Sequence, residues 1–125
     1  PYAAMISKKM GEMDWTKSAA ELERLIRGLN PWPSAFTHLN GKMLKIWDAD
    51  VYTKEQAEAE FPEYSTDFKG AEPGQIAAVL PHTFFIGCGK DLLKVNEVQA
   101  EGKKRMTSDA FLRGSRLEKG MELGK

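Results

Sequence analysis

The chain has 125 residues, 42% of them hydrophobic, which is enough for one modest core and favours a single domain. Its 18 basic and 18 acidic side chains cancel, which argues against a polybasic binder of the histone kind. The single cysteine, Cys88, excludes an internal disulfide framework and fits a reducing compartment. No apolar run approaches the roughly 18 residues of a membrane span. The chain opens at Pro1 without a charged-then-apolar leader, so we expect a segment of a larger or processed protein, not a secreted one.

Charge is distributed unevenly along the chain. Residues 51–80 carry two basic against six acidic side chains, whereas residues 81–125 carry nine basic against six acidic. The adjacent cations Lys103, Lys104 and Arg105 repel one another and contribute nothing to a core. This run therefore indicates an anion nearby.

The first predicted element after an irregular opening segment is an amphipathic helix. Ser18 and Glu21 have the spacing of a capping box, in which each side chain satisfies a free backbone amide of the first turn. Gly28 and the proline-rich residues 30–33 end the helix, because proline cannot continue the hydrogen-bond ladder. The apolar residues between these signals repeat at i, i+3, i+4 and i+7: Leu22, Leu25, Ile26 and Leu29.

Short segments with the alternation of β-strands follow. The dipeptide Asn40-Gly41 favours a two-residue hairpin, Pro73-Gly74 favours a turn, and Thr107 or Ser108 would cap a short last helix over residues 108–113. The predicted strands are residues 35–39, 42–51, 75–80, 83–88 and 92–98. Because closure removes exposed sheet edges, we predict a mainly β fold: a small OB-like antiparallel β-barrel preceded by one α-helix, with a short C-terminal helix.

Residues 53–72 interrupt the strand pattern. Thr53 and Gln56 have the spacing to cap a brief helix that runs through Glu60. The stretch is acidic, so we predict an exposed insertion.

Catalytic and metal-binding chemistry has little support. Cys88, His38 and His82 lack zinc-site spacing, so we predict a buried structural thiol and two surface histidines. Asp48 and Asp50 share a strand face, but no third ligand is evident. No glycine-rich phosphate loop is present either.

Aromatic side chains admit two interpretations, stacking on nucleic-acid bases or packing in the core and turns, and the sequence leaves both open. The residues concerned are Trp15, Trp32, Phe36, Trp47, Phe84 and Phe85.

Several motifs resemble the C-terminal domain of methionyl-tRNA formyltransferases. The most specific is Arg-Gly-Leu-Asn-Pro-Trp-Pro at residues 27–33, followed by Ala-Phe-Thr at residues 35–37. The other similar motifs follow in order along nearly the whole chain: residues 6–9, 14–15, 44–47, 73–74 and 102–106. The chain differs from the pattern in its long acidic segment at residues 53–72 and in Ala100, where the family often has proline.

The resemblance implies a function in translation initiation. In this family an N-terminal Rossmann-like domain transfers a formyl group from 10-formyltetrahydrofolate to the methionine on initiator tRNA. Its catalytic asparagine, histidine and aspartate have no counterpart here. By this resemblance, residues 1–16 are an interdomain linker and residues 17–125 a cytoplasmic tRNA-docking domain. That domain is inactive alone, holds no cofactor or metal, and has initiator methionyl-tRNA and its own N-terminal catalytic domain as partners.

Docking is expected to be electrostatic, because lysines and arginines contact phosphates and release counterions without reading base sequence. A plain surface charge is the alternative for the last four residues of the candidate set. The set is Lys103, Lys104, Arg105, Lys8, Lys9, Arg24, Arg27, Lys42 and Lys45.

A second hypothesis makes the domain a structural brace for a folate-dependent formyltransferase, with little affinity for RNA. The zero net charge and the apolar surroundings of Trp15 and Trp32 favour it. A free-standing enzyme is disfavoured, because no set of residues here supports a reaction.

Overall fold

The structure, a computed structural model, describes residues 8–31 and 33–124. Two short 3-10 turns, Lys8–Gly11 and Pro62–Tyr64, accompany the main elements. Those elements are α1 (Ala19–Gly28), β1 (Phe36–Leu39), β2 (Lys42–Tyr52), α2 (Lys54–Glu60), α3 (Ser65–Lys69), β3 (Ile76–Val79), β4 (Phe84–Gly87), β5 (Leu92–Ala100), β6 (Met106–Thr107) and α4 (Ser108–Gly114).

The strands form one antiparallel sheet that curls into a half-barrel, with α1 before it and α4 after it in the chain. The strand order is β1-β2-β5-β4-β3, and β6 pairs with β5. The predicted fold class is therefore confirmed, as are the hairpin at Asn40-Gly41 and the five predicted strands, with slightly different bounds. The two-residue strand β6 was not predicted. No helix within the described ranges is long and apolar enough to cross a membrane.

The C-terminal segment joins the two edge strands. Leu123 forms an antiparallel bridge with Leu39 of β1, and the preceding residue forms one with Gln75 beside β3. The Leu123 amide donates to the Gly74 carbonyl at 2.7 Å, and the Gly124 amide donates to the His38 carbonyl at 2.8 Å. These bonds occupy edge groups that an open half-barrel would leave unpaired.

Helix α1 packs against the core side of the half-barrel. Its predicted capping box is present, with the Ser18 hydroxyl accepting from the Glu21 amide and the Ser18 amide donating to the Glu21 carboxylate, both at 3.2 Å. Leu22 and Ile26 are buried in the same cluster as Ile46 of β2. The amphipathic stripe therefore packs against the sheet, as its spacing indicated.

Part of the opening segment belongs to this core. Met13 and Trp15 are buried, and the Met13 amide donates to the Phe36 carbonyl at 2.9 Å. The Trp15 indole donates to the Thr37 hydroxyl at 3.0 Å. Residues 13–15 are thus held on β1, whereas the role of residues 1–16 as a link between two domains stays a prediction.

Residues 53–72 are not an exposed insertion, so that prediction is wrong. The predicted Thr53–Gln56 cap is present and begins α2, but this segment also has a core of its own. The rings of Phe68 and Phe85 are fully buried, with centroids 4.9 Å apart. Phe85 of β4 points away from the main core, so the acidic segment covers the outer face of the sheet there.

Candidate nucleic-acid interface

A β-bulge in β2 leaves Trp47 and Asp48 together on the outer face of the sheet. The pairing of β2 with β5 shifts on both sides of Asp48, while Ile46 and Ala49 stay buried in the main core. A bulge inserts one extra residue, so two consecutive side chains face outward between two buried ones. Trp47 is consequently half-buried on the outer face, and not part of the core.

Two of the predicted cations lie over this indole ring. The Arg105 guanidinium carbon is 4.8 Å from the ring centroid, and the Lys45 ammonium is 5.8 Å from it. Both distances are within the range of cation–π attraction. The Nε–H of Arg105 also donates to the Glu97 carboxylate at 2.6 Å.

Hydrogen bonds fix the loop that carries the lysine run. The Trp47 indole N–H donates to the Gln99 amide oxygen at 3.0 Å, and the Gln99 amide nitrogen donates to the Lys103 carbonyl at 2.9 Å. The Lys103 amide closes a turn on the Ala100 carbonyl, and Glu101 accepts from the Met43 amide at 3.0 Å. The loop is therefore tied to both β2 and β5.

Lys103 and Lys104 are exposed at the tip of this loop. No carboxylate of residues 8–31 or 33–124 lies within ion-pair distance of either ammonium group. Their charge is thus not neutralised by a neighbour, in contrast to that of Arg105. We call this group the Trp47 patch: Lys45, Trp47, Gln99, Lys103, Lys104 and Arg105.

The remaining predicted residues lie elsewhere. Arg24 and Arg27 are exposed on α1, where Arg27 pairs with Glu23 one turn away. Lys42 lines a separate hollow of about 380 Å³ beside the β1–β2 hairpin, together with Arg116, which is not among the predicted residues. For Lys8 and Lys9 the structure describes only the backbone of a 3-10 turn.

The outer face changes sign along β2 and β5. Beyond Trp47, the Asn96 amide donates to Asp48 at 2.9 Å and to Asp50 at 3.0 Å. The predicted shared face of the two aspartates is thus confirmed, and their partner is an amide. Farther along, the Tyr52 hydroxyl donates to Glu60 of the acidic segment at 2.7 Å. A cationic end and an acidic end therefore occupy one sheet face.

The thiol of Cys88 and the imidazole of His82 lie outside the Trp47 patch and make structural contacts. Burial raises the pKa of the Cys88 thiol to about 12, as expected for an inert structural cysteine. His82 is exposed and its Nδ1 lies 2.8 Å from an Asp109 oxygen, while no cluster of three metal-ligating side chains occurs among the described residues. The bond to His82 is the main cause that lowers the pKa of Asp109.

Comparison with known proteins decides the family. The model of the formyl transferase C-terminal domain matches residues 5–116, which is most of the chain. The chain belongs to this family. Methionyl-tRNA formyltransferase of Lachnospira eligens is 57% identical over 124 residues, and that of Bacillus licheniformis is 43% identical over 124 residues. They cover 99% and 98% of the chain, but the chain spans only 37% and 35% of their lengths.

A solved structure shares the fold of this formyl transferase C-terminal domain. It is a variant of HypX from Aquifex aeolicus, with a TM-score of 0.59 at 14% identity, and the match covers 90% of this chain and 19% of that one. At this identity the likeness concerns the fold alone.

Three of the motifs that resemble the formyltransferase family meet at Trp47. The Asn30 amide, from the Asn-Pro-Trp-Pro segment, donates to the Trp47 carbonyl at 3.1 Å. Trp47 ends the motif of residues 44–47, and Arg105 belongs to the motif of residues 102–106. Segments that are far apart in the chain thus converge on the Trp47 patch.

Two members of the patch were not predicted to act there. Gln99 pairs with Lys45 in the register of β2 and β5, and alternation along β5 was the signal that could have placed it outward. For Trp47 the sequence predicts only base stacking or core packing. Of the other aromatic candidates, Trp15, Phe36, Phe84 and Phe85 are buried, and Trp32 lies outside the described residues.

Proposed function

We propose that this chain is the tRNA-docking domain of a methionyl-tRNA formyltransferase. In that enzyme it would act in the cytoplasm, in translation initiation, beside an N-terminal catalytic domain that formylates initiator methionyl-tRNA. The observation that carries the proposal is the Trp47 patch. There Lys103 and Lys104 are exposed and form no ion pair with a described carboxylate, while Lys45 and Arg105 lie over one indole.

The charge arrangement suits an RNA backbone. Exposed ammonium groups gain free energy by displacing the counterions that are condensed on phosphates. A-form RNA displays its phosphates and 2′-hydroxyls on a regular surface, so contacts of this kind position the molecule without reading its bases. The neutral total charge is compatible with such docking because charge is uneven along the chain: residues 51–80 carry six acidic against two basic side chains, whereas residues 81–125 carry nine basic against six acidic.

Formyl transfer itself is assigned to the part of the enzyme outside this chain. We propose that this domain contributes tRNA affinity without catalysis.

Titration of the 125-residue chain with initiator tRNA at several salt concentrations tests the proposal. We expect binding near the micromolar range at low salt, with an affinity that declines as a power of the salt concentration. The double variant Lys103→Ala/Lys104→Ala should lower the slope of log affinity against log salt by about 1.5 to 2, since two phosphate contacts are lost.

The matched control removes two lysines at the opposite end of β5. Lys17 and Lys90 are both exposed, beside the turn between β4 and β5. Lys17→Ala/Lys90→Ala should leave the salt slope unchanged, although it changes the net charge by the same amount. Failure of the chain to bind tRNA even at low salt would support the structural brace instead.

A further inference from the structure

The contacts of Trp47 point to a role for this residue within the proposed docking site, and the inference rests on that proposed function. We infer that Trp47 is a positioning residue: its ring face holds Arg105, and its indole N–H holds the loop of Lys103 through Gln99, in the arrangement that receives RNA phosphates. On this inference Trp47 acts through these neighbours and does not itself stack on a base.

The first support is that the binding groups of the indole are already occupied. An indole has one donor, and that N–H is used by the Gln99 amide oxygen at 3.0 Å. The Arg105 guanidinium lies 4.8 Å from the ring centroid, at the distance of a cation–π contact. A base would have to displace this cation to stack on the ring surface that it covers.

The second support is the orientation of Arg105. Its Nε–H is held by Glu97, and Glu97 pairs with Thr107 in the short ladder between β5 and β6. The guanidinium is thereby fixed between a carboxylate and an indole. Because Nε is the engaged donor, the terminal NH₂ groups remain to form the paired hydrogen bonds that phosphate oxygens accept.

The third support is the connection to the lysine loop. Gln99 accepts from Trp47 with its oxygen and donates to the Lys103 carbonyl with its nitrogen, at 2.9 Å. The Gln99 side chain thus links the indole to the loop backbone, so the position of the ring helps to fix the position of the loop. A long cationic side chain that is ordered before binding loses less entropy when the phosphate arrives.

Two substitutions separate the ring face from the indole N–H. Trp47→Phe keeps an aromatic face for Arg105 and removes only the hydrogen bond to Gln99, whereas Trp47→Leu removes both contacts. At 50 mM salt we expect Arg105→Ala to weaken binding of initiator tRNA about three- to tenfold, as the loss of one phosphate contact. Trp47→Leu should weaken binding at least as much, and Trp47→Phe clearly less.

The decisive measurement repeats the two Trp47 substitutions in the Arg105→Ala background. If the ring face acts through Arg105, Trp47→Leu and Trp47→Phe should bind tRNA with equal affinity in that background. The decreases in salt slope caused by Arg105→Ala and by Trp47→Leu should then not add in the double variant. A difference that persists without Arg105 would overturn the inference that the ring face acts through this residue.

Tyr52→Leu is the control for general damage to the sheet. Tyr52 is a half-buried aromatic on the same outer face of β2, at the acidic end. It should lower stability without changing the salt slope. If unsubstituted chain binds no tRNA, the proposed function fails; if it binds but the ring makes no difference with Arg105 present, only this inference fails.

Discussion

The two ends of the outer sheet face are built in opposite ways. At the acidic end, residues 53–72 fold over β4 and bury Phe68 and Phe85, so their charge lies on the outside of a small apolar cluster. At the cationic end, Trp47 stays half-buried, with Arg105 and Lys45 as its cover. One end of the sheet face is thus covered by a packed apolar cluster, and the other end presents exposed cations. Composition alone therefore does not tell which end is functional.

The largest expected effect tests whether the acidic end is structural. Phe68→Ala removes a fully buried ring that contacts Phe85, so unfolding should become easier by about 3–5 kcal/mol. Trp47→Ala at the open end should cost only about 1–2 kcal/mol, because its half-exposed ring leaves no closed cavity. Urea denaturation of both variants measures the difference. Equal losses would mean that the two ends are not distinct in packing.

The next effect concerns charge at a distance. Glu55, Glu63 and Glu72 are exposed in the acidic segment or at its border. If this end repels RNA, replacing all three by glutamine should tighten tRNA binding about two- to threefold at 50 mM salt. The gain should fade above about 0.3 M salt, where such charges are screened beyond a few ångströms.

The same three substitutions in the Lys103→Ala/Lys104→Ala variant serve as the control. A similar gain there would agree with long-range repulsion that is independent of the patch. Weaker tRNA binding after neutralisation would show instead that the acidic segment contacts the RNA and helps to hold it. The claim that only the cationic end of the outer face binds RNA would then be wrong.

Local signals in the sequence were sufficient for much of this fold. Ser18 and Glu21 placed the start of α1, and Asn40-Gly41 placed the hairpin, because caps and tight turns depend on adjacent residues. The loop that carries Lys103 and Lys104 was also identified from the sequence, since a run of like charges has no place in a core. What these residues bind remains a prediction.

Features that depend on distant pairing were missed. The acidic segment was judged by its charge, although its apolar residues at 57, 61, 64 and 68 have helix-like spacing and pack on Phe85, a residue in another strand. The outward position of Asp48 beside Trp47 depends on a bulge, which shifts the alternation of β2 by one residue and leaves no sequence signal. The bridging by Leu123 depends on two edges that meet only in the folded chain.

The smallest expected effect concerns the bond that ties β2 to the acidic segment. Burial, and then the hydrogen bond to Glu60, raise the pKa of Tyr52 to about 12, above the value near 10 of an unfolded tyrosine. The folded chain therefore keeps this proton where the unfolded chain releases it. The resulting stabilisation is complete below pH of about 10 and is lost as the pH rises toward 12.

Tyr52→Phe lacks both the hydrogen bond to Glu60 and the hydroxyl group that ionises. At pH 7 it should be less stable by about 0.5–1 kcal/mol, the usual contribution of one such hydrogen bond. The advantage of the unsubstituted chain should shrink between pH 10 and 12, as measured by urea denaturation at each pH.

In Glu60→Gln, tyrosinate absorbance should show Tyr52 titrating at lower pH, because the carboxylate that opposes ionisation is gone. A constant advantage up to pH 12 would mean that folding does not raise the pKa of Tyr52. No advantage at any pH would mean that α2 is held to the sheet by its apolar contacts alone.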